Sequence, residues 1–187
     1  MKMKRLRLQV IGLVLLSFLT VVPADADVVS IDELVFTEVE GGYEVASKTR
    51  VLRGAVVIPA EYNGKPVIGI AKNGFKNSIS RFQSVTMPET IIYIGDSAFY
   101  SCSGIENLNI PASVRTIGKY AFCGCRNITS LDIPSGVTKI EDGVFYDCRG
   151  LTEINIPSGV TSIGEAAFIY CKSAISSSAK SKSFLYQ

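Results

Sequence analysis

Five cysteines, Cys102, Cys123, Cys125, Cys148 and Cys171, have the widest chemical range of any residues in this 187-residue chain. Thiolates can bind zinc, form a redox pair or close disulfides, and Cys123 and Cys125 stand one residue apart in "FCGC". Histidine, the usual complement, is absent from the whole chain, so no Ser-His or Cys-His nucleophile can be assembled. The carboxylates Asp96, Glu106, Asp132, Glu141, Asp142 and Glu153 are scattered and read as solvated charge. Gly41-Gly42 has no helix signal after it and is no phosphate loop. No catalytic residue, cofactor or metal is indicated, and the expectation is a protein that is not an enzyme.

The elements that carry these residues are repeats. Pro88, Pro111, Pro134 and Pro157 are 23 residues apart, as are Phe99, Phe122, Phe145 and Phe168, and Cys102, Cys125, Cys148 and Cys171. The unit has apolar residues at Ile105, Leu108, Ile110, Val114, Ile117, Ala121, Phe122 and Cys125 in one copy. That spacing fits neither a long helix nor an ordinary hairpin. "LNI" alternates like a brief strand, "VRTI" is a second one, and Gly95, Gly118 and Gly164 each close a turn. "KYAFCGC" has the length of one or two helical turns. Such a unit cannot bury its own apolar side, but stacked units can. The sequence therefore predicts a mainly β solenoid of short parallel strands in register, with a Phe row that starts at Phe75 and a Cys row beside it.

Coils of a solenoid lie about 4.8 Å apart, which puts Cys102 roughly 14 Å from Cys171. Four thiolates so spread cannot share one zinc. Disulfides between neighbours stay open on spacing alone, while a small buried apolar role suits the four in register. Cys123 falls where other copies have Tyr100, Tyr146 and Ile169, so it is expected to be exposed and to be the free thiol.

The pattern L-x-x-L-x-I-P-x-x-V-x-x-I-G-x-x-A-F-x-x-C resembles the BspA-type leucine-rich repeats, and "GGYEVA…VVIPAEYNGKPVIGIAKNGF" resembles their irregular first module. The resemblance spans about residues 40 to 171. It implies a leucine-rich-repeat solenoid and adhesion to host extracellular proteins such as fibronectin or fibrinogen, or to other cells.

Residues 1–26 combine a basic head (Lys2, Lys4, Arg5, Arg7), an apolar run from Leu8 to Val22 and small residues at Ala24 and Ala26. This is the pattern of a secretory signal peptide, and the run falls short of the roughly 20 residues that span a bilayer. Without it the chain carries 15 basic and 16 acidic residues, which leaves no basic face for nucleic acid. The expected order is signal peptide 1–26, β cap 27–58, solenoid 59–171, and a Ser/Lys-rich disordered tail 172–187. "NIT" at Asn127 matches a glycosylation acceptor.

Repeat arrays bind through variable positions on consecutive coils. One ribbon lies two residues before each Pro, at Thr86, Asn109, Asp132 and Asn155, flanked by Ser84, Asn107, Ser130 and Glu153. A second candidate is the group Tyr100, Tyr120, Tyr146 and Tyr170. The expected partner is an extracellular protein or glycan. The C-terminal coil, lacking an obvious cap, could also stack on a second copy.

Overall fold

A computed structural model describes residues 28–78, 81–172 and 174–177; the signal-peptide segment 1–26 lies outside them. A short 3₁₀ turn, Ile31–Glu33, opens the fold, with Ser30 accepting from the Asp32 N–H. Then β1 (Leu34–Val39) and β2 (Gly42–Ser47) form an antiparallel hairpin. Gly41 turns it at φ 88°, a left-handed conformation that favours glycine. After β3 (Arg53–Val57), a second hairpin joins β4 (Glu61–Tyr62) to β5 (Lys65–Ile70) through Asn63-Gly64, both at positive φ. Asn-Gly is the pair that a tight primed turn requires.

The first hairpin extends the sheet of β5 beyond that strand. Its β2 pairs in parallel with β5, and β3 pairs in parallel with the next coil's β6 (Arg81–Thr86). Phe36 stacks on Tyr62 at 4.0 Å and Tyr43 meets the same ring edge-on at 5.2 Å.

Five coils follow one another, named here by their phenylalanine from Phe75 (coil 1) to Phe168 (coil 5). Each gives one strand to each of two parallel ladders, and a further strand after coil 5 joins the first. The first ladder takes β3, β6 and β8 (Asn107–Leu108), then, without pairing across to it, β10 (Ser130–Asp132), β12 (Glu153–Ile156) and β14 (Ala174–Ser177). The second takes β5, β7 (Tyr93–Ile94) and β9 (Thr116–Ile117), then, as a separate pair, β11 (Lys139–Ile140) and β13 (Ser162–Ile163). Strand alternation sends Leu108, Ile110, Leu131, Ile133, Ile154 and Ile156 into the core. Each Pro then ends its strand. The carbonyls of Pro88, Pro111, Pro134 and Pro157 accept from the N–H three residues on.

The third side differs from the expected helical turns. Around Phe99 the N–H groups alternate between two kinds of acceptor. Those of Ala98, Tyr100 and Cys102 go back three residues, while those of Ser97, Phe99 and Ser101 cross to Lys119, Ala121 and Cys123 of the next coil at 2.7–2.8 Å. The residues two before and two after each Phe are left-handed: Asn73 and Asn77, Ser97 and Ser101, Tyr120 and Gly124, Gly143 and Asp147, Ala166 and Tyr170. A left-handed residue stops a right-handed helix at once. The freed donors build a third inter-coil ladder instead. Phenylalanine rings stack through it at 5.3, 5.4, 5.8 and 5.5 Å.

Ala174–Ser177 also departs from the expected tail. A strict 23-residue period puts Ala174, Ser177 and Ala179 at the core places, with no large apolar residue, but the structure shortens the register by two. Ile175 thereby falls opposite Ile154 and Ser176 opposite Asn155, so β14 adds a parallel strand.

Candidate functional site

The ribbon read from the sequence lies in register on the outer face of the first ladder. Ser84 stands opposite Asn107, Ser130 opposite Glu153, Asp132 opposite Asn155, and Thr86 opposite Val57. Asn107, Asn109, Ser130, Asp132, Glu153 and Asn155 are exposed, whereas Ser84 and Thr86 are half-buried. One residue further out run Gln83, Glu106, Thr129 and Thr152, all exposed. Thr152 donates its hydroxyl to the Thr129 carbonyl at 3.1 Å. A groove of about 240 Å³ crosses the ribbon, lined by Leu108, Asn109, Ser130, Leu131, Asp132 and Glu153.

This face carries carboxylates at Glu106, Asp132 and Glu153 and no cation from coil 2 to coil 5 at these positions. Among the described residues every ion pair lies elsewhere. Asn amides donate and accept, and carboxylates accept. The ribbon can therefore hydrogen-bond a peptide backbone, sugar hydroxyls or cationic side chains.

The four tyrosines do not share one register. Tyr100 and Tyr146 occupy equivalent places after the Phe and are half-buried. The Lys76 ammonium sits 4.9 Å from the Tyr100 ring centre. Tyr146 meets Tyr170 edge-on at 5.3 Å. Tyr120 lies over Gly143, where an added Cβ would come within 2.2 Å of its ring. Tyr170 is the most open of the group, at 63% exposure.

Cys123 is buried, contrary to the expectation of an exposed thiol. It shares a column with Tyr100 and Tyr146 but is too short to leave the surface they form. Burial pushes its thiol up, although a hydrogen bond with Tyr100 acts the other way. None of the five cysteines forms a disulfide. The four in register donate across coils, from Sγ of Cys102, Cys125, Cys148 and Cys171 to the carbonyls of Phe75, Phe99, Phe122 and Phe145 at 2.9–3.2 Å. Burial pushes the Cys102 thiol up to about 12.

One cluster was missed by the pattern reading. Asp147 is buried at the left-handed position after Phe145, and it accepts from Arg126 Nε (2.9 Å), Arg126 Nη2 (2.5 Å) and Arg149 Nε (2.6 Å). Burial pushes its carboxyl up, but the hydrogen bonds from Arg149 and Arg126 outweigh this and leave it below the ordinary range. The 23-residue step from Arg126 to Arg149 was the available signal. A separate hollow of about 430 Å³ lies beside the cap, lined by Lys48, Arg50, Lys76 and short polar residues, with no carboxylate.

Among the described residues no cluster of three or more His, Cys, Asp or Glu could hold a metal ion, and no helix is long and apolar enough to cross a membrane.

Comparison with known proteins agrees with this geometry. The BspA type leucine rich repeat region matches residues 65–183 in six copies, running past Cys171 into the segment first read as tail. A leucine rich cell surface protein from Faecalibacterium prausnitzii is similar in structure, with a TM-score of 0.54 at 24% identity over 82% of this chain and 55% of that one. A T. pallidum leucine rich repeat protein gives a TM-score of 0.46 at 22% identity, covering 78% of this chain and 89% of that one. One from Bacteroides ovatus gives 0.49 at 21% over 79% and 52%. The chain thus spans about half the length of the Faecalibacterium and Bacteroides proteins. No curated protein matches it. By the repeats matched over residues 65–183, this chain belongs to the BspA-type leucine-rich repeat family.

Proposed function

We propose that this protein is a secreted or surface-displayed recognition module that binds another protein through the polar face of its first ladder and catalyses nothing. The observation that carries this reading is the in-register ribbon of short, exposed polar side chains, whose carboxylates have no ion-pair partner among the described residues. Strands hold each half of the ribbon, Ser84 to Asn109 and Ser130 to Asn155, in fixed register, so little side-chain order has to be gained on binding within a half. Surface placement is supported by the pattern of residues 1–26 and by the cell surface protein among the similar structures. The resemblance to BspA-type proteins makes host matrix proteins such as fibronectin and fibrinogen the first partners to try, with extracellular glycans next.

The test is biolayer interferometry of residues 27–187 against immobilised fibronectin, fibrinogen and a glycan panel. If one of them binds, the triple variant Asn109→Ala, Asp132→Ala, Asn155→Ala is expected to weaken it at least about tenfold, roughly 1.4 kcal/mol, with an unchanged melting temperature. Unchanged binding in that variant, with loss in Tyr120→Ala, Tyr170→Ala, would move the site to the turn side.

The added strand β14 favours a second reading. It pairs with β12 on one edge only, among the described residues, and an unpaired edge can take a strand from another copy. A mass that rises with concentration in light scattering would support end-to-end assembly.

A further inference from the structure

The coils are not equally joined. On the second ladder each boundary should carry two backbone bonds. Ile92 N–H and Gly95 N–H reach Ile68 and Ile70 of coil 1 at 2.8 and 2.9 Å. Arg115 and Gly118 reach Ile92 and Ile94 at 2.9 and 2.8 Å, and Thr161 and Gly164 reach Thr138 and Ile140 at 2.8 and 2.7 Å. The equivalent donors at the boundary of coils 3 and 4, Thr138 and Glu141, make no such bond, and β9 and β11 belong to separate sheets. The first ladder breaks at the same boundary, between β8 and β10. The Phe122–Phe145 step, at 5.8 Å, is the widest of the stack.

One residue sets this boundary apart on the second ladder. A Cβ at Gly95, Gly118 or Gly164 would stand 2.7, 2.5 or 2.5 Å from the backbone nitrogen of Lys72, Asp96 or Asp142 in the coil before. Such contacts are far inside van der Waals distance, so at this position only glycine lets two coils close. Coil 4 has Glu141 there instead. A Cβ therefore stands where the other coils have none, and the Glu141 carboxylate pairs with Lys139 at 2.9 Å.

The third ladder, by contrast, is complete across this boundary. Tyr120, Phe122 and Gly124 donate to Asp142, Val144 and Tyr146 at 3.0, 3.0 and 2.7 Å. Lys119–Asp142 at 2.8 Å, Arg126–Asp147 at 2.5 Å and the Cys148 thiol on the Phe122 carbonyl at 3.1 Å also cross it.

We infer that the boundary between coils 3 and 4 is a hinge, with the Phe/Cys side as its spine and both strand ladders free to part. The described residues on either side, coils 1 to 3 and coils 4 to 5, move as two blocks, and the groove between Asn109 and Asp132 is the mouth of the hinge on the polar face. A partner lying along that face would set the angle between the blocks. The hinge itself stands whether or not the face binds a protein.

Hydrogen exchange followed by NMR on residues 27–187 tests this. The amides of Thr138 and Glu141 should exchange at least about tenfold faster than those of Arg115, Gly118, Thr161 and Gly164, because opening there breaks no ladder bond. The spine amides of Tyr120, Phe122 and Gly124 should be as slow as those of Ser97, Phe99 and Ser101. Glu141→Gly should bring Thr138 and residue 141 down to the slow group, while Glu141→Ala, which keeps the Cβ and removes the charge, should leave them fast. Equal rates at all four boundaries would overturn the hinge. So would fast spine amides, which mean that the whole boundary melts. Slowing by alanine equal to that by glycine would overturn the assignment to the Cβ.

Discussion

Each ladder cysteine fills a small space behind a phenylalanine and also donates its thiol to the phenylalanine carbonyl of the coil before. A purely apolar residue would fill the space and leave that acceptor with one partner fewer. Cys125→Ala is therefore expected to cost about 1–3 kcal/mol in urea unfolding, from lost packing and a lost hydrogen bond. Cys125→Ser keeps a donor and should cost less; equal losses would show that the thiol bond contributes nothing. All five thiols, Cys123 included, should react slowly with an aromatic disulfide reagent in the native state and at once in denaturant, since four are buried and Cys171 is half-buried. The raised thiols also give stability a pH slope. Cys102 moves from about 9.0 to about 12 on folding, so between those values the unfolded chain has lost a proton that the folded chain keeps. Stability must then fall as pH rises from 9 towards 12, by up to about 1.4 kcal/mol per pH unit for this group alone. A urea midpoint that is flat across that range would contradict the burial of the row.

At the scale of the element, the glycine after each second strand governs how coils meet. Gly118→Ala is expected to reproduce, between coils 2 and 3, the opening that Glu141 makes between coils 3 and 4. The added Cβ would lie 2.5 Å from the Asp96 nitrogen, and a cost of about 1–3 kcal/mol fits overpacking of this kind. Faster amide exchange at Arg115 and residue 118, with unchanged exchange at Thr161, is the readout. The Asp147 carboxylate, held low by Arg149 and Arg126 against its burial, works at the same scale by tying coil 3 to coil 4. Since folding depresses its pKa, its contribution is present above the ordinary carboxylate value and is lost as pH falls through the folded one. Acid should therefore weaken the boundary of coils 3 and 4 before the others.

Across the whole molecule, charge is sorted by side. Lys72, Asp96, Lys119, Asp142 and Glu165 succeed one another along the turn side, with ion pairs Lys72–Asp96 and Lys119–Asp142. From coil 2 to coil 5 the polar strand face carries amides, hydroxyls and carboxylates without an ion-pair partner among the described residues. Because exposed ion pairs are screened while hydrogen-bonded ribbons are less so, moderate salt should change stability little. The same salt should weaken binding of a cationic partner to the strand face and leave that of a neutral glycan unchanged. Titrating binding from low to about 0.5 M salt separates the two partner classes.

Composition, the absence of histidine and the 23-residue register of Pro, Phe and Cys determined the solenoid, its two strand ladders, the Phe and Cys rows and the polar ribbon. They could do so because a stacked repeat places equivalent residues in equivalent surroundings, so periodicity is already geometry. Four things depended on the tertiary structure, each where neighbours override local pattern. "KYAFCGC" looks helical in isolation, but its donors find better acceptors one coil away and two left-handed residues divert them. Cys123 holds a position of tyrosines and is buried by their bulk. Ile175 pairs with Ile154 only because the register moves by two, which a fixed period cannot show. Glu141 is an unremarkable charge in the sequence; it becomes a hinge only because the backbone of coil 3 lies where its Cβ must go.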